Sequence, residues 1–240
     1  MASIFLDGIR IDDLTLWEAV EMARTSSRPL FTVTPNATIL DACRRNPQYA
    51  ALINQTHLSL PDGVGILLAA KRAGTPLREK VSGIDFGEAL MTAARGKESF
   101  FLLGGKPGVA EVAAARLCER HPRLQICGTH HGYFDKNGDD NLAVLERIRR
   151  CRPVYLFVCF GFPLQEEWIS RNLSALPDSL RVVAGLGGSL DVWAGNLRRA
   201  PRILSKMGME WAWRMALEPR RLKDLPALAR ILLFPPHSSS

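Results

Sequence analysis

The sequence is short of several things, and each shortage closes off a class of protein. No apolar run approaches the roughly 20 residues that a membrane-spanning helix needs; the longest, such as Val154–Phe160 and Ile231–Phe234, fall far below that. Met1–Arg10 carries acidic Asp7 and no basic stretch ahead of a long apolar one, so no secretory signal is expected and the chain is expected in the cytoplasm. Its five cysteines (Cys43, Cys118, Cys127, Cys151 and Cys159) form no Cys-x-x-Cys pair, which predicts reduced, buried thiols rather than a disulfide framework. His121, His130 and His131 stand at no metal-ligand spacing with them, and neither a metal nor a cofactor is expected. No Walker A loop and no G-x-G-x-x-G fingerprint is present, which disfavours an NAD-dependent oxidoreductase. There is no internal repeat, and the only low-complexity stretch is Pro235–Ser240, expected to be disordered.

Basic charge is also missing from most of the chain. Of the net +7, residues from Arg198 onward hold nine Lys/Arg against three acids, a surplus of six, so residues 1–197 are close to neutral. A uniformly basic nucleic-acid-binding body is therefore excluded, and the charge belongs to the C-terminal segment.

What is present is alternation. Leu30–Thr34 precedes a helical pattern at Ala37–Arg45, Ser99–Leu103 one at Val109–Arg120, Val154–Phe160 one at Leu164–Leu173, and Arg181–Ala184 a glycine-rich turn. Strand and helix periods in turn predict an α/β domain, Rossmann-like, with a largely parallel sheet. Val154–Phe160, apolar at nearly every position, reads as a central strand covered on both faces. Residues 1–197 are expected to form this catalytic domain, and 198–234 a basic, amphipathic helical appendage. In the appendage Trp211 and Trp213 lie among Met207, Met209 and Met215. Such a stripe is either ordinary core or a surface that docks on an anionic membrane, where Trp and Leu enter the interface and each Lys or Arg adds about 1 kcal/mol. An exposed apolar tail is equally compatible with a homo-oligomer.

Unusual residues collect just after the strands. Thr34-Pro35-Asn36, Gly104-Gly105-Lys106-Pro107-Gly108, Gly161-Phe162-Pro163-Leu164-Gln165 and Gly185-Leu186-Gly187-Gly188-Ser189 all stand there. Loops beyond the carboxyl ends of strands in an open α/β sheet converge on one ligand site. Gly104–Gly108 leads into a helix whose first amides favour phosphate. Asp191 follows the second glycine-rich turn, either as a simple cap or as a carboxylate for ribose hydroxyls. Pro61-Asp62-Gly63 is a turn signal; it also sets a carboxylate ahead of the apolar helix Val64–Ala70, where it could act as general base. Thr34 and Asn36 are either a helix cap or polar holds for a sugar or phosphate.

In order along the chain, Thr34-Pro35-Asn36, Leu60–Gly65, Val81–Asp85, Phe101–Gly105, His131–Phe134, Gly161–Glu166, Gly187–Asp191, Arg199-Ala200-Pro201, Gly208–Trp211 and Glu218–Arg221 closely resemble the WecG/TagA/CpsF family, glycosyltransferase family 26. The resemblance spans essentially residues 5–225. It implies transfer of a sugar from a UDP-sugar to a polyprenyl-diphosphate-linked saccharide, inverting and metal-independent, by a protein held peripherally at the inner face of the membrane. Matched residue by residue, Asp62 falls on the family's proposed base and Thr34, Asn36 and Gln165 on its active-site polar residues. Gly104, Gly105, Tyr133, Gly187, Gly188 and Asp191 are the further candidates for binding substrate, with Arg214, Arg220 and Arg221 as those that the appendage would bring to the diphosphate. The rival reading is a membrane-docking, nucleotide-binding scaffold or sensor that binds UDP without turnover.

Overall fold

The computed structural model describes residues 2–96, 98–201, 204, 209–217, 225–233 and 238–239. The chain opens with an antiparallel hairpin, β1 (Ser3–Leu6) and β2 (Ile9–Asp12), turned at Asp7-Gly8. Then come α1 (Leu16–Thr25), β3 (Leu30–Val33), α2 (Ala37–Arg45), α3 (Pro47–Asn54) and the short β4 (Leu58–Ser59). α4 (Val64–Arg72) and α5 (Gly83–Ala93) lead to β5 (Ser99–Gly104), α6 (Val109–Arg120), β6 (Gln125–His130) and α7 (Asp139–Cys151). β7 (Tyr155–Cys159), α8 (Leu164–Asn172), β8 (Val182–Gly185) and α9 (Ser189–Trp193) complete the body. Beyond it are α10 (Glu210–Leu217), α11 (Leu225–Leu233) and a two-residue strand, β9 (Ser238–Ser239), on the outer side of β1.

Six strands form one parallel sheet in the order β4-β3-β8-β7-β5-β6, with helices on both faces. The expected α/β architecture with a parallel sheet is what the chain adopts. The period of two along each strand divides its side chains between two cores. Phe101, Leu103, Leu156, Val158 and Val183 face the side covered by α2, α3, α4, α7 and α8. Phe100, Leu102, Tyr155, Phe157, Val182 and Ala184 face the side covered by α1, α5, α6 and α9. Every side chain of β7 is buried, as its unbroken apolar run requires. At about 1.5–3 kcal/mol per fully buried large apolar side chain, these two layers supply the main stabilisation of the fold. Where α7 meets α8 the core admits polar groups, all of them partnered. Trp168 Nε1 donates to Asn141 Oδ1 (2.7 Å), Asn141 Nδ2 to Asn172 Oδ1 (3.0 Å) and Asn172 Nδ2 to the Trp168 carbonyl (2.8 Å).

The cysteines are free thiols; Cys43 and Cys159 are buried, whereas Cys118, Cys127 and Cys151 are only partly so. Among the described residues no helix is long and apolar enough to cross a membrane.

The C-terminal segment divides its faces. On α11, Ala227 and Ile231, four residues apart on one side of the helix, are buried against α2 and α4. Arg230 grips Asp41 of α2 with two hydrogen bonds of 2.7 Å each. Leu225 and Leu233 stand exposed. Trp213 of α10 donates to the carbonyl of Arg198 (3.1 Å), which ties that helix to the start of the segment.

Candidate functional site

The order of the sheet decides where a ligand can enter. From β5 the chain passes outward to β6; from β7 it passes the other way, to β8. The crevice between the carboxyl ends of β5 and β7 is therefore the topological switch point, where open α/β sheets bind ligands. A cleft of about 1100 Å³ lies there, walled by Gly105 and Lys106 after β5, Gly132–Lys136 after β6, Phe160 and Gly161 after β7, and Gly187, Gly188 and Asp191 after β8.

Five glycines stand in the walls: Gly105, Gly132, Gly161, Gly187 and Gly188. Gly104 sits at φ +144°, and a Cβ there would lie 2.4 Å from the carbonyl oxygen of Cys159; Gly105 sits at φ +69°, and a Cβ there would lie 2.9 Å from Val109. Only glycine allows the β5 turn to press this closely on β7 and on the first turn of α6. The Gly132 N–H donates to the Gly105 carbonyl at 2.8 Å, which closes the β5 and β6 turns on one another. Of the seven helices that start at the carboxyl edge, α2 and α5 have side-chain caps, Asn36 and Ser82. α4, α6, α7, α8 and α9 begin at Gly63, Gly108, Gly138, Pro163 and Gly188, and no side chain caps them. Helix starts of this kind offer amide N–H groups and positive dipole ends to an anion.

Charged and aromatic side chains complete the cleft. Tyr133, 67% exposed, stands at its rim. Lys136 is folded back so that Nζ donates to the carbonyl of Gly132 (2.6 Å) and lies 4.5 Å above the Phe134 ring and 4.6 Å above that of Phe160. Burial, helped by Arg171 and opposed by Asp135, holds this ammonium below the ordinary lysine value. Asp191 Oδ1 accepts from the side chain of Asn196 (3.2 Å), another cleft residue.

The second group of sequence-derived residues lies beside the cleft, over β4 and β3. The Asp62 N–H donates to the Pro35 carbonyl (2.9 Å) and the Val81 N–H to that of Pro61 (2.8 Å), so the turns after β3 and β4 and the start of α5 form one cluster. Thr34 belongs to it: a Cβ on Gly83 would lie 2.9 Å from Thr34 Oγ1 and 3.4 Å from Leu186. Leu186 is the residue before Gly187, so Thr34 abuts the cleft wall across the β3–β8 pairing. Asn36 Oδ1 accepts from the Ile39 N–H (3.0 Å), which gives that side chain the capping role that its position also allowed.

Gln165 is buried and bridges rather than faces open space. Its Oε1 accepts from the N–H groups of Gly161 (3.2 Å) and Gly187 (2.9 Å), and its Nε2 donates to Glu166 Oε1 (2.8 Å). Glu166 is 1% exposed, with its second oxygen unpartnered. Burial pushes its carboxyl up to about 7, against the smaller opposing effect of the Gln165 hydrogen bond.

Thus Gly105, Tyr133, Gly187, Gly188 and Asp191 line the cleft, with Gly104 directly behind it. Asp62, Thr34 and Asn36 gather one to two strands away. Arg214 lies on α10; Arg220 and Arg221 lie outside the described residues. Lys136, Phe160, Asn196 and Glu166 are site residues that the sequence does not single out. Lys136 stands in an ordinary-looking Asp-Lys-Asn-Gly turn, and Glu166 occupies a helix first turn, where an exposed acid is common. Among the described residues, no group of three or more His, Cys, Asp or Glu side chains is gathered to hold a metal ion.

Comparison with known proteins sets this geometry beside related chains. The sequence model of the family described as Glycosyl transferase WecG/TagA/CpsF matches residues 4–234. Proteins of Staphylococcus aureus strains NCTC 8325 / PS 47 and COL, each named N-acetylglucosaminyldiphosphoundecaprenol N-acetyl-beta-D-mannosaminyltransferase, are 34% identical to this chain over 233 residues. The match covers 95% of this chain and 89% of each relative.

Proposed function

The chain belongs to the glycosyl transferase WecG/TagA/CpsF family, and from that membership we propose that it moves a sugar from a UDP-sugar to a saccharide carried on a polyprenyl diphosphate, with inversion and without a required metal. The activity named for the Staphylococcus relatives makes N-acetylmannosamine the first donor sugar to try and N-acetylglucosaminyl-diphosphoundecaprenol the first acceptor.

One observation carries the reading. A carboxylate at the end of β4 stands beside a glycine-walled cleft at the switch point of the same sheet edge. Adjacent strands are about 4.8 Å apart, so the ends of β4 and β7 are separated by on the order of 14 Å. That span fits a nucleotide held over β7 and β5 with its sugar directed toward β3 and β4. Asp62 then takes the proton of the acceptor hydroxyl as its oxygen bonds to the anomeric carbon. The bond from that carbon to the β-phosphate oxygen breaks, and its electron pair leaves with UDP. Attack from the face opposite UDP inverts the centre, the geometry of single-displacement glycosyl chemistry. Negative charge growing on the leaving diphosphate is met by the uncapped helix starts at Gly108 and Gly188. Lys106, and the arginines of the C-terminal segment when it closes, add to them.

The same segment is the proposed membrane contact. Leu225 and Leu233 are exposed on α11, in the region that carries the basic surplus. Docking at an anionic cytoplasmic leaflet would bring the site to its lipid-linked acceptor.

The test is UDP release from a panel of UDP-sugars in EDTA, with and without a short-chain polyprenyl-diphosphate-linked N-acetylglucosamine. Release that requires the acceptor and is confined to one donor is the expected result. UDP binding without release from any donor on matched acceptors would favour the sensor reading and overturn this one.

A further inference from the structure

The cleft and the Asp62 cluster meet at β8, and Gln165 is the side chain that joins the loops there. Its one oxygen collects the N–H groups of Gly161, after β7, and Gly187, after β8; both glycines line the cleft. A glutamine amide is almost symmetrical in size, so its orientation is set by its hydrogen-bond partners alone. Two N–H donors on one side call for oxygen, and Glu166 Oε1, accepting at 2.8 Å on the other, calls for nitrogen. Gln165 has little room to swing away, because a Cβ on Gly185 would lie 2.8 Å from its Nε2.

Glu166 itself is hard to explain as packing. It is 1% exposed, and one carboxyl oxygen has no hydrogen-bond partner. A carboxyl group in such a place is costly, and a leucine would fill a similar volume without an orphaned oxygen. What a leucine would lack is the acceptor for Gln165.

We propose that Glu166 is a positioning residue. By accepting from the Gln165 nitrogen, it holds the Gln165 oxygen toward Gly161 and Gly187 and so fixes the spacing of the two loops that wall the cleft. The effect on the loops stands on geometry alone; the effect on binding rests on the reading of the cleft as a nucleotide site.

The experiment uses full-length, ¹⁵N-labelled protein and follows amide hydrogen exchange at Gly161, Gly187 and, as a remote control, Leu102 in β5. Glu166→Leu is expected to lower protection at both glycines by roughly three- to tenfold, the range of one lost hydrogen bond, with Leu102 unchanged. Glu166→Gln, which keeps an acceptor, restores it. Unchanged glycine amides in Glu166→Leu overturn the proposal. So does an equal loss at Leu102, which marks a general contribution to stability, or a Glu166→Gln variant as impaired as Glu166→Leu. Calorimetry with UDP forms the second arm: the Kd is expected to rise by a similar factor in Glu166→Leu and to return toward wild type in Glu166→Gln. Should wild-type protein bind no UDP, the nucleotide reading fails, and the amide measurement still decides the role of Glu166.

Discussion

Over β4 and β3 the carboxyl edge of the sheet presents side chains: Asp62, Thr34 and Asn36, gathered by hydrogen bonds between their turns. Over β8, β7, β5 and β6 it adds exposed backbone, in glycine turns and helix starts that no side chain caps. Under the proposed function, the difference is a division of labour. Proton transfer needs a titratable atom at one point, whereas a nucleotide diphosphate needs many weak donors spread over a surface. On that reading, Asp62 supplies the first and close-packed main chain much of the second.

The sharpest way to break this comparison is Asp62→Asn. If the first half does the chemistry, transfer falls on the order of 10²–10⁴-fold, while the Kd for UDP, measured by calorimetry, stays within about twofold. A loss under tenfold in a folded variant removes Asp62 from the role of base.

Glu166, at the junction of the halves, gives the next largest effect. Its carboxyl is pushed by burial from the ordinary 4.5 up to about 7, so between those values the folded state holds a proton that the unfolded state has released. The sign follows by linkage: this contribution to stability is fully present below about pH 4.5, declines as pH rises and is lost above about pH 7. At 1.36 kcal/mol per pH unit it amounts to at most on the order of 3 kcal/mol. Urea unfolding of the wild type and Glu166→Gln across that range should show the wild type losing ground to the variant. Parallel profiles would mean that Glu166 titrates at an ordinary value.

Gly188→Val probes the backbone half on its own. Gly188 has an ordinary φ of −84°, and a Cβ there meets nothing within 4 Å. The fold should persist while methyl groups occupy the cleft. UDP affinity is expected to drop roughly 10–100-fold, about 1.4–2.7 kcal/mol, with turnover at saturating donor little changed. A fall in turnover without a change in affinity would reverse the assignment of the halves.

The smallest effect concerns the C-terminal segment. Arg230, by its paired hydrogen bonds, holds the Asp41 carboxyl below the ordinary carboxylate range. Its contribution to stability is therefore fully present above the ordinary carboxylate range and is lost as pH falls below that range, through the lower value of the folded state. Arg230→Met should leave UDP binding intact and speed limited proteolysis within α11; an unchanged cleavage pattern would show that Ala227 and Ile231 secure the helix without the ion pair.

Much of this edge is legible in sequence, because its parts are local. Leu30–Thr34 with Ala37–Arg45 and Ser99–Leu103 with Val109–Arg120 match β3–α2 and β5–α6 to within a residue, since period and punctuation act within a few positions. The hairpin at Asp7-Gly8, a two-residue turn with both φ positive, is not among the sequence expectations, although its signal is as local. Gln165 is not legible in this way. Its partners are four residues before it and twenty-two after, and they meet only because β7 and β8 are neighbours. Lys136 is hidden for the same reason: its aromatic partner Phe160 comes from a strand two places across the sheet from its own. Asn36 illustrates a third case, in which position permits a cap or a substrate contact and only geometry shows that the cap is made.

The glycine-built wall also affects how this site would look to a mutational survey. Alanine scanning removes side chains, and along Gly104-Gly105 and Gly187-Gly188 there are none to remove. A deletion-style map of the protein would therefore report on Asp62 and on cleft side chains such as Tyr133, Lys136 and Asp191, and pass over the glycines between them. Only scanning by addition, one methyl or isopropyl group at a time, would trace the outline of the cleft, as a row of intolerant points between tolerant neighbours.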